Sequence, residues 1–437
     1  MITKITKLLD ELDVNSIAFK TGFCRRAPRK ITPANFILSF CLCFRNSQFS
    51  LRNWSFHLSN LINDSVSFQA IDKKLQYNKV DFVKELFKKA CTIQFTYFKR
   101  QQKTKLFEFN RILIQDSTLV KLPDSHYNYS SGVSNGKTKK ALARLQICFD
   151  LCKGNIIQSD LCSYSENDRA YSSKLLLVLQ AGDLVIRDLG YFCIPVFRAI
   201  QQVQAFFLSK YHKGVGLYDN QGVRMDFVKY LKSLDKNSIT SFDMNVKMGS
   251  KEKFPVRVCG YRVSQQQAMK KRNQMKSSRH KSDRISERAI YLCNWNIYVT
   301  NVSEELQVND IFETYRLRWS IETMFKHWKG NLQLNQLAYS CKTPNPARPE
   351  MLIYLMLLYT VLAFRPIYNE VAQVIKNKFN RYLSPKKFSN FLKTNIEHEI
   401  DTKSTFFINL ILRNCCYDKR SDRSNFFQLY DKLIFLG

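Results

Sequence analysis

Apolar residues recur at helical spacing near both ends of the chain and at strand spacing in its middle. At the start, Leu8, Leu9, Leu12 and Val14 open one apolar face. Pro33 suits the first turn of a further helix, whose apolar body runs over residues 36–44. Residues 65–75 have the pattern of a short helix-turn-helix element, although an ordinary helical hairpin reads the same way. From residue 111 the period shortens to two. Ile112 and Ile114 alternate with Leu113 and Gln115, in a strand expected to stop at Asp116. Leu145, Ile147, Phe149 and Leu151 alternate with Arg144, Gln146, Cys148 and Asp150, the pattern of a half-buried strand. A turn at Gly154-Asn155 leads into a third strand over 156–162. The spacing then predicts a helix over 172–180 closed by Gly182, a short apolar strand over 184–187 that stops at Asp188, a helix over 192–202 and a strand over 206–208.

The next stretch, 211–288, is basic and polar, with short strand-like pieces such as 256–263. Its run over 269–284 lacks apolar periodicity and reads as a loop, either solvated or touching DNA. A strand over 289–300 returns the chain to the core, and 344–437 is helical. Three antiparallel strands followed by alternating helices and strands is the order of a ribonuclease H-like sheet. The expected fold is therefore α/β: a ribonuclease H-like mixed-sheet catalytic core interrupted by a β-rich insertion, with helical N- and C-terminal regions. The expected divisions are a helical DNA-binding region at 1–105, the first part of the core at 106–210, the insertion at 211–288, the second part of the core at 289–335, and a helical region at 336–437 available for dimerisation. Two core strands ending on Asp116 and Asp188 would set those carboxylates side by side.

Charge narrows the partner. Lys and Arg number 68 against 36 Asp and Glu, a formal net charge of +32, and so large an excess calls for a polyanion: DNA, RNA and an anionic membrane surface could each serve. The excess recurs at Arg25, Arg26, Arg29 and Lys30, at Lys137, Lys139 and Lys140, and over 270–281. That spread suits a long DNA path better than a single basic tail. The 13 Cys are scattered through apolar stretches, without a CxxC pair, and fit free thiols in a reducing cytoplasm rather than a zinc site. The most apolar run, 351–364, is shorter than the roughly 20 residues a bilayer span needs and is expected to be a buried helix, so no membrane is implied.

The most informative stretch runs over 310–331, expected to be one helix. At about 100° per residue, Tyr315, Arg318, Glu322, Lys326 and Lys329 share one polar stripe, and Leu317, Ile321, Met324, Phe325 and Trp328 take the other side. Glu322 and Lys326 are an ordinary i,i+4 pair when taken alone. Together with the cations and the tyrosine, however, the carboxylate suits a metal ligand whose neighbours hold phosphates.

The spacing Tyr315-x2-Arg318-x3-Glu322-x6-Lys329 resembles the Tyr-Arg-Glu-Lys signature of DDE transposases of the insertion-sequence-four family. Ile114-Gln-Asp116-Ser-Thr118 followed by Leu122-Pro123 is similar to that family's first-Asp motif. Leu184-Val-Ile-Arg-Asp188-Leu-Gly190-Tyr191-Phe192 is similar to its second, with Leu189 where an arginine is frequent. The resemblance covers roughly residues 20–335. It implies a DNA transposase in which Asp116, Asp188 and Glu322 bind two Mg²⁺ ions (Mn²⁺ substituting) and cut and join DNA. It also implies a β-rich insertion ahead of the Glu-bearing helix and double-stranded DNA partners, the transposon terminal inverted repeats and the target. A homodimer in a synaptic complex and a bacterial cytoplasmic setting follow as well. Tyr315, Arg318, Lys326 and Lys329 would hold DNA. Trp295 would either stack on DNA near the cut, as in hairpin-forming relatives, or be a core aromatic. His126, His212 and His327 could suggest metal or acid/base chemistry, but His327 falls off the polar stripe and reads as a bystander; Asp150, Asp168 and Asp183 read as decoy carboxylates, with Glu166 and Asp168 in a loop that could approach DNA. An inactive DNA-binding relative or inhibitor, and a metal-dependent nuclease of the same fold, stay open as alternatives.

Overall fold

The computed structural model describes residues 2–45, 49–76, 79–92, 106, 108–277, 285–340, 345–394, 404–418 and 424–435. Its centre is one mixed sheet of ten strands: β1 (Arg111–Lys121), β2 (Ser131–Ser134), β3 (Lys139–Asp150), β4 (Asn155–Ser163), β5 (Asp183–Arg187), β6 (Phe206–Lys210), β7 (Leu217–Tyr218), β8 (Ser241–Met248), β9 (Phe254–Arg262) and β10 (Trp295–Thr300). The order across the sheet is β2-β3-β1-β5-β6-β10-β9-β8-β7, with β4 also on β3. β1, β3 and β4 are antiparallel, whereas β5 pairs parallel with both β1 and β6.

Alternation along the strands feeds two cores. Ile112 and Ile114 of β1 join a cluster with the N- and C-terminal helices, while Leu113 joins one on the other face with Val185, Phe197 and Phe207. The helices Ile194–Gln202 and Phe227–Lys236 cover that second face.

The N- and C-terminal helical regions share the first core. Helix Val80–Thr92 packs on helix Ala347–Tyr359, with Lys84 and Glu350 paired at 2.5 Å, and Tyr354 donates to the Ser159 carbonyl of β4 at 2.8 Å. The apolar run at 351–364 is a buried helix as expected, but it belongs to a longer one. Ala347–Phe379 is 33 residues, long and apolar enough by length and composition to cross a bilayer, and 72% of its most apolar window is buried inside the fold.

Several elements depart from expectation. β1 continues five residues past Asp116, because β3 goes on pairing with it as far as Lys121. The helix expected over 172–180 is a short helix, Asp168–Tyr171, capped by Asn167 and followed by a tighter turn of 3-10 helix at Ser172–Leu177. The basic run expected as a loop is helical up to Ser277 (Gln265–Ser277), and its remainder, 278–284, lies outside the described residues. The strand expected from 289 begins only at Trp295, after the helix Glu287–Tyr291. The strands of 211–288 do not form a sheet of their own: β9 pairs with β10 and so extends the central sheet.

Candidate active site

Parallel pairing of β1 with β5 sets Gln115 opposite Arg187. The next residue on each strand is a carboxylate, so Asp116 and Asp188 stand at neighbouring positions on strands about 4.8 Å apart. Below them the Arg187 guanidinium donates to Gln115 Oε1 at 2.7 Å and to Ser172 Oγ at 2.7 Å, fully buried, and burial lowers its pKa to about 10. Asp188 accepts from the Gly190 amide at 3.5 Å at the start of a 3-10 turn.

The third carboxylate arrives on a broken helix. Instead of one continuous helix, Val308–Arg316 is followed by a turn and then by Trp319–Gly330. Across the break Leu317, Arg318, Ser320 and Ile321 bond their amides to carbonyls three residues back, not four. The apolar side of Trp319–Gly330 is as predicted, with Ile321, Phe325 and Trp328 buried. The polar stripe is not. Tyr315 is only 5% exposed, its ring 5.1 Å from that of Tyr298, and Arg318 turns inward while Lys326 stays exposed.

Arg318 is the hub. Its side chain is 8% exposed, and its Nη1 lies 2.9 Å from Asp116 Oδ2, its Nε 3.8 Å from Asp188 Oδ1 and its Nη2 in a short ion pair with Glu322 Oε1. Asp116 also accepts from the Ser117 amide at 2.8 Å. Burial raises the Asp116 pKa to about 7, against the pull of Arg318 and with a further push from Asp188 and Glu322. The surrounding negative charge, together with Tyr315, holds Arg318 above its ordinary value despite burial.

Asp116, Asp188, Glu322 and Arg318 thus come together from three separate parts of the chain. Lys329 is half-buried near Lys121 at the end of β1, and burial chiefly, with the Lys121 charge, lowers its pKa. Trp295 is placed elsewhere: it is 2% exposed in the second core, 5.6 Å from Phe242, and presents no face to solvent. His327 lies against Phe364 at 5.1 Å, with burial holding its pKa down to about 4.

Two neighbours of the site were not legible beforehand. Lys210, at the end of β6, sits over the Tyr315 ring at 5.4 Å, within electrostatic reach of Asp188 and Glu322. Asp168, read as a decoy, accepts from Ser117 Oγ at 2.6 Å, Gln146 Nε2 at 3.2 Å and Arg144 Nη1 at 3.3 Å. A Cβ at Gly190 would come within 3.0 Å of its Oδ2, so Asp168 is packed between Ser117, next to Asp116, and Gly190, two residues after Asp188.

Three carboxylates are the hard oxygen donors that Mg²⁺ or Mn²⁺ takes, and all three converge on one cationic centre. As placed, among the described residues, no three His, Cys, Asp or Glu side chains are gathered closely enough to hold an ion; the Arg318 guanidinium lies between them.

The model of a family described as "Transposase DDE domain" matches residues 108–360, a span that includes every residue of this site. Among curated proteins, the chain is 24% identical over 366 residues to the transposase for insertion sequence element IS1151 of Clostridium perfringens, covering 79% of this chain and 76% of that one. It is 26% identical over 341 residues to the transposase for IS231B of Bacillus thuringiensis subsp. berliner, covering 74% and 71%. For the IS231C transposase of the same organism the figures are 25% over 400 residues, 87% and 81%.

Proposed function

The chain belongs to the DDE-domain transposases of insertion sequences, and from that premise we propose that it cuts DNA at transposon ends and joins the ends to target DNA with Asp116, Asp188 and Glu322 as its metal-binding carboxylates. The observation that carries this reading is the shared guanidinium. Residues 72 and 134 positions apart in sequence meet on Arg318, and among the described residues no other acidic side chain pairs with it. The strand order β4-β3-β1-β5-β6, antiparallel and then parallel, supports a ribonuclease H-like core, with residues 211–288 as an insertion fused to its edge.

In this reading Asp116, Asp188 and Glu322 are the residues that would hold the metal ions, with Asp116 the most buried of the three. Two bound Mg²⁺ ions would supply Lewis acidity, lowering the pKa of an attacking water and neutralising charge on the phosphate. The chain's own part is to hold and orient. Asp188 and Asp116 are fixed by the β1–β5 register, and Glu322 by the packing of Ile321, Phe325 and Trp328 beneath it. Lys326, Lys329 and Lys121 supply point charges for the DNA backbone, and Arg318 a planar fork that matches a phosphate with two donors. Double-stranded terminal repeats and target DNA are the substrates, engaged by a homodimer that pairs two ends.

The test is incubation with Mg²⁺ and a labelled duplex carrying the ends of its own element, with Asp188→Ala and Glu322→Ala in parallel. Metal-dependent nicking and strand transfer by the wild type are expected, both lost in the variants while DNA binding persists. Cleavage that survives Glu322→Ala would remove the triad, and hydrolysis without joining would make the protein a nuclease.

A further inference from the structure

We propose that Arg318 is a built-in counter-ion: it fills the metal site of the DNA-free protein and is drawn out by a DNA phosphate, so that metal loading is conditional on bound DNA. The inference rests on the reading that Asp116, Asp188 and Glu322 are the metal ligands, and it concerns how that site is regulated.

Arg318 bonds to Asp116 through Nη1 and to Glu322 through Nη2, its Nε faces Asp188 at 3.8 Å as a looser ion pair, and its side chain is almost wholly out of solvent. The Asp116 and Glu322 oxygens that accept from Arg318 cannot coordinate a divalent ion from the same side. An ion placed among them would also sit a few ångströms from a fixed positive charge, a repulsion that low dielectric enlarges. Arginine cannot relieve this by losing its proton, so the guanidinium has to move.

The surroundings give it somewhere to go. Arg318 lies in the turn between two helices, outside regular helix, where the backbone makes tightened three-residue bonds. The guanidinium carbon already stands 5.8 Å from the centre of the Tyr315 ring, a contact that can persist as the group leaves the carboxylates. Lys326 on the next turn is exposed, and Lys121 and Lys329 lie further along the same helix and strand. A DNA backbone drawn in by these lysines brings a phosphate to Arg318, and a phosphate suits a guanidinium as well as a carboxylate does.

Exchange of carboxylate for phosphate frees the cluster, which then carries an uncompensated negative charge and attracts cations. Such coupling is reciprocal: if DNA tightens metal binding by some factor, metal tightens DNA binding by the same factor. The advantage to a transposase is that a free molecule holds no loaded metal site with which to nick arbitrary phosphodiesters.

The experiment is titration of the DNA-free full-length protein with Mn²⁺, read by electron paramagnetic resonance and by calorimetry, for wild type, Arg318→Gln, Arg318→Lys and the double variant Asp116→Ala/Arg318→Gln. Thermal melting confirms which variants are folded. Arg318→Gln keeps bulk and a hydrogen-bond donor but removes the charge, and it is expected to bind Mn²⁺ about tenfold or more tightly than wild type, within the usual range of coupling between sites. Arg318→Lys should stay close to wild type. In the reciprocal measurement, Mn²⁺ should strengthen wild-type binding to a fluorescent end duplex by a similar factor, and should do so less in Arg318→Gln. Equal Mn²⁺ affinity in wild type and Arg318→Gln, with binding still abolished in the double variant, overturns the counter-ion and leaves the ligand assignment standing. Tight Mn²⁺ binding that persists in the double variant removes the ligand assignment itself. Should Arg318→Gln fail to fold, the Mn²⁺ dependence of wild-type DNA affinity decides alone, and no dependence overturns the proposal.

Discussion

A carboxylate that accepts three side-chain hydrogen bonds is held far more tightly than one that merely forms a turn. Asp168 ties Ser117, next to Asp116, to Arg144 and Gln146 of the neighbouring strand β3 and abuts Gly190, two residues after Asp188. We expect Asp168→Asn to lower the single-turnover cleavage rate about 10–100-fold, the usual effect of losing a group that orients a metal ligand. DNA affinity measured by anisotropy should stay within about twofold. A cleavage rate equal to wild type would make Asp168 a bystander. Its importance was hidden in the sequence, because its partners lie 22 to 51 positions away and no periodicity connects them. His327 gives a stability prediction of definite sign. Burial depresses its pKa to about 4 in the folded protein, while the unfolded chain takes up a proton near the ordinary value of about 6.5. The unfolded state therefore binds more protons in that window, and stability present above about pH 6.5 is lost as pH falls toward 4, by up to about 3 kcal/mol. Urea unfolding of wild type and His327→Gln at pH 7.5 and 4.5 checks this; the variant should lose less stability on acidification.

Elements whose apolar residues meet the core were legible; elements held by polar contacts were not. β3, β4, β5 and the helix Ile194–Gln202 follow their alternation to within a few residues, apart from an earlier start to β3. The helix Gln265–Ser277 shows no apolar stripe, since Ala268 is its one buried residue. It is fastened by Lys271 to the Trp295 carbonyl at 3.0 Å and to Asn296 at 2.6 Å, and by Arg272 to Asn294 at 2.6 Å. The break at Leu317 and Arg318 contains no Gly or Pro to announce it. Angles counted through it put Tyr315 on a solvent stripe that the fold does not have. The three carboxylates that meet at Arg318 each lie in a local pattern readable from the sequence, but the inward turn of Arg318 is a tertiary event. Arg257 of β9 tests how residues 211–288 are joined to this region. It is 3% exposed, paired with Asp243 at 2.6 Å, and it donates to the Leu306 carbonyl at 2.7 Å just before the helix Val308–Arg316. Arg257→Ala leaves a carboxylate and carbonyls without their donor and is expected to cost about 3 kcal/mol, measured by chemical denaturation. A loss under about 1 kcal/mol would show that β9 and the helix are not fastened there.

At the scale of the whole molecule, the net charge of +32 makes DNA binding a salt-sensitive process. If the protein neutralises some 6–10 phosphates, the slope of log affinity against log salt should be about −5 to −9. Anisotropy titrations between 50 and 300 mM salt (about one decade of practical range) would show it, and a slope near zero would mean that the basic surface does not track the backbone. The two helical ends close over one face of the sheet through a shared core, so truncation at either end exposes apolar surface on the other. The sheet itself carries a consequence for descent. β9 pairs with β10 along the whole length of β10, from Trp295 to Thr300, so a deletion that removed β7, β8 and β9 would leave β10 as a bare edge. Its unpaired amides and carbonyls would be free to recruit strands from other molecules. A shortened descendant of this element would have to gain a cap for that edge in the same event, which makes the widened sheet a feature that is easier to inherit than to lose.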